Sequence, residues 1–282
     1  MINIKKDVEH YYDTSNNWRN ELYVDHSQPF NRLLIRRKEY SFKMIERVNQ
    51  LRRGPALDVG CGPGAYIEEL MKRGFEVYGI DLSQEMLNTC KIRLSIDDQK
   101  FRKNFQIADV ESIPFDDNKF NIVICSGVLG LLPSDTQAIS ELFRVLAPGG
   151  ILLLTVENMM SFSHIDYVVR KKISELFNSD NSEFSEEDGN LTLKLKWMSQ
   201  NAGLFYKIYN PWKLNAFLAE KGFKLVDSLT VGHEFRFLRR TKLVPEKILS
   251  SVEIALEKLS QKFRIPYISY AGQFYTALYN KL

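Results

Sequence analysis

Three glycines and two aspartates in the first third of this sequence have the types and spacing to do chemistry. Asp58-Val-Gly-Cys-Gly-Pro-Gly64 follows a short apolar run, ALDVG, and opens a helical pattern. Glycines at 60, 62 and 64 carry no Cβ, so the backbone there can turn tightly and come against a ligand. Asp81 closes the next strand-like run, FEVYGID. A carboxylate at the carboxyl end of that strand faces the crevice where a ribose binds, and accepts both of its hydroxyl hydrogens. A nucleoside ligand is therefore expected. In dinucleotide enzymes such glycines bring a pyrophosphate to a helix N-terminus. Asp58 under the loop opposes that anion and suits instead a zwitterion with an ammonium group and a sulfonium.

Alternating strands and helices position these residues. Residues 63–74 read as a helix, with Pro63 in its first turn, Ile67, Leu70 and Met71 on one stripe, and Gly74 as its stop. Ser83 caps a second helix to about Leu94, with Leu82, Met86, Leu87 and Cys90 on one face. FQIAD (105–109) and the start of FNIVICSGVLGLL (120–132) read as strands. Asp135 to Leu146 reads as a helix stopped by PGG (148–150), and ILLLTVE (151–157) as another strand. This rhythm predicts a parallel sheet with right-handed crossovers, and the continuous apolar strands predict helices on both faces.

Material outside the rhythm falls into three places. Residues 1–54 are polar, aromatic and helical in pattern, with basic clusters RRK (36–38) and RR (52–53) read as solvated faces. Residues 158–210 hold a helix-like stretch (161–177), an acidic stretch NSDNSEFSEEDGN (178–190), a strand-like LTLKLKW and an aromatic loop up to YNPW. An insertion this long is expected to form a lid, mobile in its acidic part. A helix (212–221) and a strand (223–231) follow. Residues 245–263 place Ile248, Val252, Leu256, Leu259 and Phe263 at amphipathic spacing. That helix is expected on the core or at a contact between two copies, since its few basic residues do not argue for anionic lipid. QFYTALYN closes the chain as a last strand.

These segments together resemble the class I S-adenosylmethionine (SAM)-dependent methyltransferases of the small-molecule type. LDVGCGPG resembles the family's first motif and GIDLSQEML the one after it. IADVESIPFDDNKFNIVICSGVLGLL resembles the stretch with the adenine contacts and the fourth strand. ELFRVLAPGGILLLTVEN resembles the motif around the fifth strand. The likeness covers about residues 55–158 and, more weakly, 211–231 and the last ten residues. It implies an α/β, Rossmann-like, mostly parallel seven-stranded sheet with an antiparallel last strand. The domain plan is then a helical cap (1–54), a SAM-binding core (55–158), an insertion (159–210) and the rest of the core (211–282) with a helical insertion at about 233–266.

Carried over by position, the resemblance implies that Gly60, Cys61, Gly62 and Gly64 line the methionine part of SAM, with Asp58 supporting the loop and the ammonium end. It implies that Asp81 holds the ribose, that Leu82 and Met86 lie at the adenine, and that Asp109 accepts from the adenine amino group beside Val110. Cys125 and Ser126 border the cofactor, and Tyr11 and Tyr12 match tyrosines that close over it. Asn121 stands where many relatives have Asp, and Leu131 where many have a histidine near the substrate. A base for an oxygen acceptor must then come from the covers, with His233 the first choice, His164 the second, and Tyr11 or Tyr12 as further candidates, whereas an amine acceptor would need no strong base.

Composition sets the remaining bounds. With 44% hydrophobic and 26% charged residues the chain is globular. A net charge of +3 does not mark a dedicated nucleic-acid binder. The three cysteines form no CxxC, so neither a disulfide framework nor a zinc site is expected, and no metal. Without an apolar leader or a long apolar run, a cytoplasmic protein with no transmembrane segment is expected. The expected function is methyl transfer to a small or medium-sized acceptor, oxygen before nitrogen, with a homodimer left open. The rivals are an RNA methyltransferase using the basic clusters, a nicotinamide oxidoreductase and a SAM-binding protein without catalysis.

Overall fold

The computed structural model describes residues 4–14, 23, 28–48, 54–162, 164–166, 192–198, 204–233, 244–263 and 268–282. The core is one seven-stranded sheet in the order β3-β2-β1-β4-β5-β9-β8. Its strands are β1 (Pro55–Val59), β2 (Glu76–Asp81), β3 (Phe105–Ile107), β4 (Phe120–Ser126), β5 (Leu146–Glu157), β8 (Phe223–Val231) and β9 (Phe274–Lys281). The first five pair in parallel, and β9 runs antiparallel between β5 and β8.

Alternation explains why the strands read as unbroken apolar runs. Leu57, Val123, Cys125, Leu152 and Leu154 point to one face of the sheet. Ala56, Ile122, Ile124, Ile151 and Leu153 point to the other. Helices α6 (Thr136–Val145) and α7 (Pro211–Glu220) cover the first face, through Leu142 and Leu214 among others. The second is covered by α2 (Pro29–Arg47), α3 (Ala65–Lys72), α4 (Gln84–Leu94) and α5 (Asp98–Asn104). Ser83 caps α4 as expected, its Oγ accepting from the Met86 amide at 3.1 Å. Gly74, at φ +78°, stops α3, donating to the Met71 carbonyl.

Several expectations need correction. Pro63 precedes α3, whose N-cap is Gly64. The PGG at 148–150 lies within β5, where a register shift absorbs it. The short helix α5 had no clear apolar stripe to announce it. The aromatic loop is partly a strand: β6 (Thr192–Met198) and β7 (Leu204–Tyr209) form an antiparallel pair. In the RRK cluster, Arg37 and Lys38 are buried, the latter 3.7 Å from Glu69. Most of 161–177, all of 178–190 and the RR at 52–53 lie outside the described residues.

The last insertion holds α8 (Glu246–Phe263), between β8 and β9. Of the apolar stripe expected to pack, Ile248, Val252, Leu259 and Phe263 are exposed and Leu256 is half-buried, while Leu249, outside that stripe, is buried. No helix among the described residues is long and apolar enough to cross a membrane.

Candidate cofactor and acceptor site

The loop after β1 is held open by its backbone. The amides of Gly60 and Cys61 both donate to the Ile80 carbonyl, at 2.8 and 3.0 Å, which bends the chain sharply beside β2. Gly60, Gly62 and Gly64 have φ of +69°, +50° and +81°. Glycine adopts that left-handed region without the cost a Cβ brings. The three differ in what they face. A Cβ on Gly60 would lie 2.4 Å from Val128 Cγ2, and one on Gly64 2.7 Å from Cys90 Sγ, so these two permit close packing. At Gly62 there is open space, and Gly62 lines the central cavity.

Asp81 ends β2 against this loop. Its Oδ2 accepts from the Gly62 amide at 2.8 Å and its Oδ1 from the Ser83 amide at 2.9 Å. Burial raises its carboxyl to about 6, with Asp13 adding to the rise and the backbone donors opposing it. Asp58, on β1, is buried, and burial together with the Asp81 charge pushes its carboxyl well above the usual range. A cation beside this pair is favoured, because it relieves both the desolvation and the mutual repulsion.

Helix α1 (Ile4–Thr14) covers one end of the cavity. Lys5, Val8, Glu9 and Tyr12, spaced along one helical face, line the cavity with Leu82, Ser83 and Met86 opposite. Asp13 accepts from Ser83 Oγ at 2.6 Å and from the Glu85 amide at 3.3 Å. Lys5 is ion-paired with Asp109 and Glu111. Asp109 also accepts the Glu111 amide at 2.9 Å, so it serves a local turn as well as facing α1.

The cavity continues over the ends of β4 and β5 and the start of β9. Ser126, Val128, Leu131, Glu157 and Phe274 line it, with Phe30, Leu34 and Arg37 from α2 and Tyr206 from β7. Arg37 had no distinguishing signal beyond its place in a basic cluster. Its guanidinium donates to Tyr23 Oη at 3.0 Å and lies 4.6 Å from the Phe274 ring centre. Its buried Nε has no hydrogen-bond partner among the described residues. Such an orphaned donor is costly unless an acceptor comes to it. The burial of Arg37 is what makes it a feature of the site.

Among the residues expected at the cofactor, Gly60, Gly62, Asp81, Leu82, Met86, Val110, Ser126 and Tyr12 line the cavity. Cys61 and Cys125 are buried, and burial raises the Cys125 thiol; Cys61 is raised first by its contact with Cys90. Tyr11 packs edge-on against Tyr12, with ring centres 5.2 Å apart. Asp58, Cys61, Gly64, Asp109, Cys125 and Tyr11 are not among the cavity-lining residues, nor are the two histidines. His233 is buried beside Phe162, and burial lowers the pKa of His164.

The groups present fit SAM: Asp81 in the cavity wall could accept from a ribose, the buried Asp58 behind it favours a cationic ligand, the Nε–H of Arg37 is unpaired for a carboxylate, and Leu82, Met86 and Val110 give an apolar lining for a base. Residues 57–154 match the methyltransferase domain family. In that stretch, in its sheet order and in its glycine loop, the chain is similar to the class I SAM-dependent methyltransferases. The ubiquinone biosynthesis O-methyltransferase of Coxiella burnetii is 32% identical over 116 residues, 41% of this chain and 49% of that protein. The malonyl-[acyl-carrier protein] O-methyltransferase of Salmonella typhimurium is 34% identical over 99 residues, 35% of this chain and 37% of that one. The chain thus spans about half or less of these relatives. The magnesium protoporphyrin IX methyltransferase of Synechocystis, solved with S-adenosylhomocysteine (SAH), shares the fold across 99% of this chain and 100% of its own, with a TM-score of 0.60 at 15% identity.

Proposed function

We propose that this chain transfers the methyl group of SAM to a small or medium-sized, largely apolar acceptor, releasing SAH, with oxygen favoured as the acceptor atom. The observation that carries the reading is one continuous cavity. It starts on the glycine loop and Asp81, and ends among Phe30, Leu34, Tyr206 and Phe274. A nucleoside and an apolar acceptor thereby share one continuous space, as direct group transfer requires.

SAM supplies, when bound, a methyl group on a sulfonium that is already an activated electrophile. The chain's residues bind, orient and exclude water. The free lone pairs of Asp81 accept the ribose hydroxyls, and Asp58 balances the cationic end. Arg37 gives its unpaired Nε–H to the α-carboxylate, a charge-assisted bond. α1 covers the nucleoside through Tyr12, and the aromatic lining keeps water from the acceptor.

An oxygen acceptor benefits from a base. Glu157, at the end of β5, is the cavity-lining carboxylate on the acceptor side and takes that role in this reading. The oxygen preference is supported by the two O-methyltransferases among the relatives. A reading as an RNA methyltransferase is weakened by the burial of Arg37 and Lys38, which removes them from any RNA-facing surface. Titration calorimetry with SAH, SAM and NAD tests the cofactor. Mass spectrometry of hydroxylated aromatic acceptors incubated with SAM tests the transfer. Tight NAD binding with none for SAH overturns the reading.

A further inference from the structure

Helix α8 buries Leu249 but turns most of its apolar stripe outward. Glu253, Glu257 and Ser260 are buried, whereas Ile248 (55% exposed), Val252, Leu259 and Phe263 (60% exposed) point away from the protein. At 3.6 residues per turn those four form one stripe, completed by exposed Ala255. The inward acids have a structural reason. Glu257 accepts from the Gly232 amide at 2.7 Å and from Arg36 Nε at 3.1 Å, which fastens α8 to the end of β8 and to α2. Beside the apolar stripe run Lys247, Lys258 and Lys262, all exposed. Neither Lys247 nor Lys258 meets an acid among the described residues.

We infer that this face of α8 docks the protein on an anionic lipid membrane surface. In the sequence Glu246 adjoins Lys247 and Glu257 adjoins Lys258, so the lysines read as diluted by acids. In the structure Glu253 and Glu257 are turned inward, so the outward face pairs an apolar stripe with a band of positive charge. That combination lets a helix lie in a bilayer interface, with its apolar side chains among the acyl chains and its lysines at the headgroups. Negative headgroups complement the lysine band. A second copy of the chain brings the same face, on which lysines would meet lysines while Glu253 and Glu257 are turned inward. The helix leaves the sheet after β8 and returns at β9, the end where Glu157 and Phe274 line the cavity. The inference goes beyond the proposed methyl transfer, and its readout does not depend on turnover.

Flotation of the full chain, loaded with SAH, tests it. The probes are phosphatidylcholine vesicles with and without about one-third phosphatidylglycerol. Binding is expected to the anionic vesicles alone, and to fail in about 0.5 M salt, where charges are screened. Leu259→Asp with Phe263→Asp, and separately Lys247, Lys258 and Lys262→Gln, should each lower the bound fraction about tenfold or more. Both sets lie at exposed positions, so circular dichroism and SAH affinity should stay at wild-type values. The inference is overturned by absence of binding to anionic vesicles, by equal binding of the variants, or by a wild-type dimer in ultracentrifugation that Leu259→Asp separates.

Discussion

The Gly62 amide donates to Asp81 Oδ2 at 2.8 Å. One carboxylate thus fixes the ligand loop and presents its remaining lone pairs to the cavity. The two tasks titrate together. Burial raises the Asp81 carboxyl to about 6, against roughly 3.9 in an unfolded chain. Protonation favours the ligand-free fold, so this group's contribution to stability is present below about pH 4 and is lost as pH rises through about 6. Ligand binding has the opposite sign, because it needs the ionised carboxylate. SAH affinity should rise between about pH 5 and 7, with protons released on binding. Calorimetry in buffers of different ionisation enthalpy measures both. In Asp81→Asn the step near pH 6 should vanish, and affinity should fall by roughly 1.5–3 kcal/mol for the lost charged hydrogen bonds. A flat wild-type profile across this range sinks the assignment.

Arg37 can be separated from the rest of the site by the ligand it should ignore. Arg37→Gln should weaken SAH by about 10- to 100-fold, the worth of one charge-assisted bond. Methylthioadenosine lacks the methionine carboxylate, so its affinity should barely change. Equal losses for both ligands would mean that Arg37 only supports the fold.

The glycines at 60 and 62 should fail differently on substitution. Gly60→Ala combines a left-handed φ with a 2.4 Å clash against Val128 Cγ2 and should cost about 1–3 kcal/mol of stability. Gly62→Ala has open space around its Cβ, but the added methyl faces the ligand. It should lose more SAH affinity than melting temperature. Thermal melts with and without SAH distinguish the two.

Acceptor chemistry is tested by three substitutions once an acceptor is in hand. Glu157→Gln should lower the rate by about 10²–10⁴-fold with SAH affinity intact, if the acceptor atom is oxygen. His164→Ala and His233→Ala should keep near-normal turnover, since neither lines the cavity. A loss of about 10²-fold in either histidine variant, with Glu157→Gln active, would move the base to the covers.

What the sequence determined about this protein is local or periodic. The strand–helix rhythm, the Ser83 cap, the Gly74 stop and the loop from Asp58 to Gly64 depend on neighbours a few residues away. The parallel core and the place of Asp81 followed from these. What it left open depends on residues far apart. Arg37 looked like one of a solvated trio, and only the packing of α2 over Tyr23 and Phe274 buries it with a free donor in the cavity.

Helix α8 shows the same limit from the other side. Its period was legible, but periodicity marks a face without saying which way that face points. Glu257 needed the amide of Gly232 and the guanidinium of Arg36, both distant in sequence, and that pairing turned the apolar stripe outward. Likewise the face of α1 that carries Tyr12 became a cover because Asp13 reaches the first turn of α4 and Lys5 reaches Asp109 and Glu111. Backbone preference is written within a few residues, whereas burial of a charge is decided by whichever distant partner the fold brings to it.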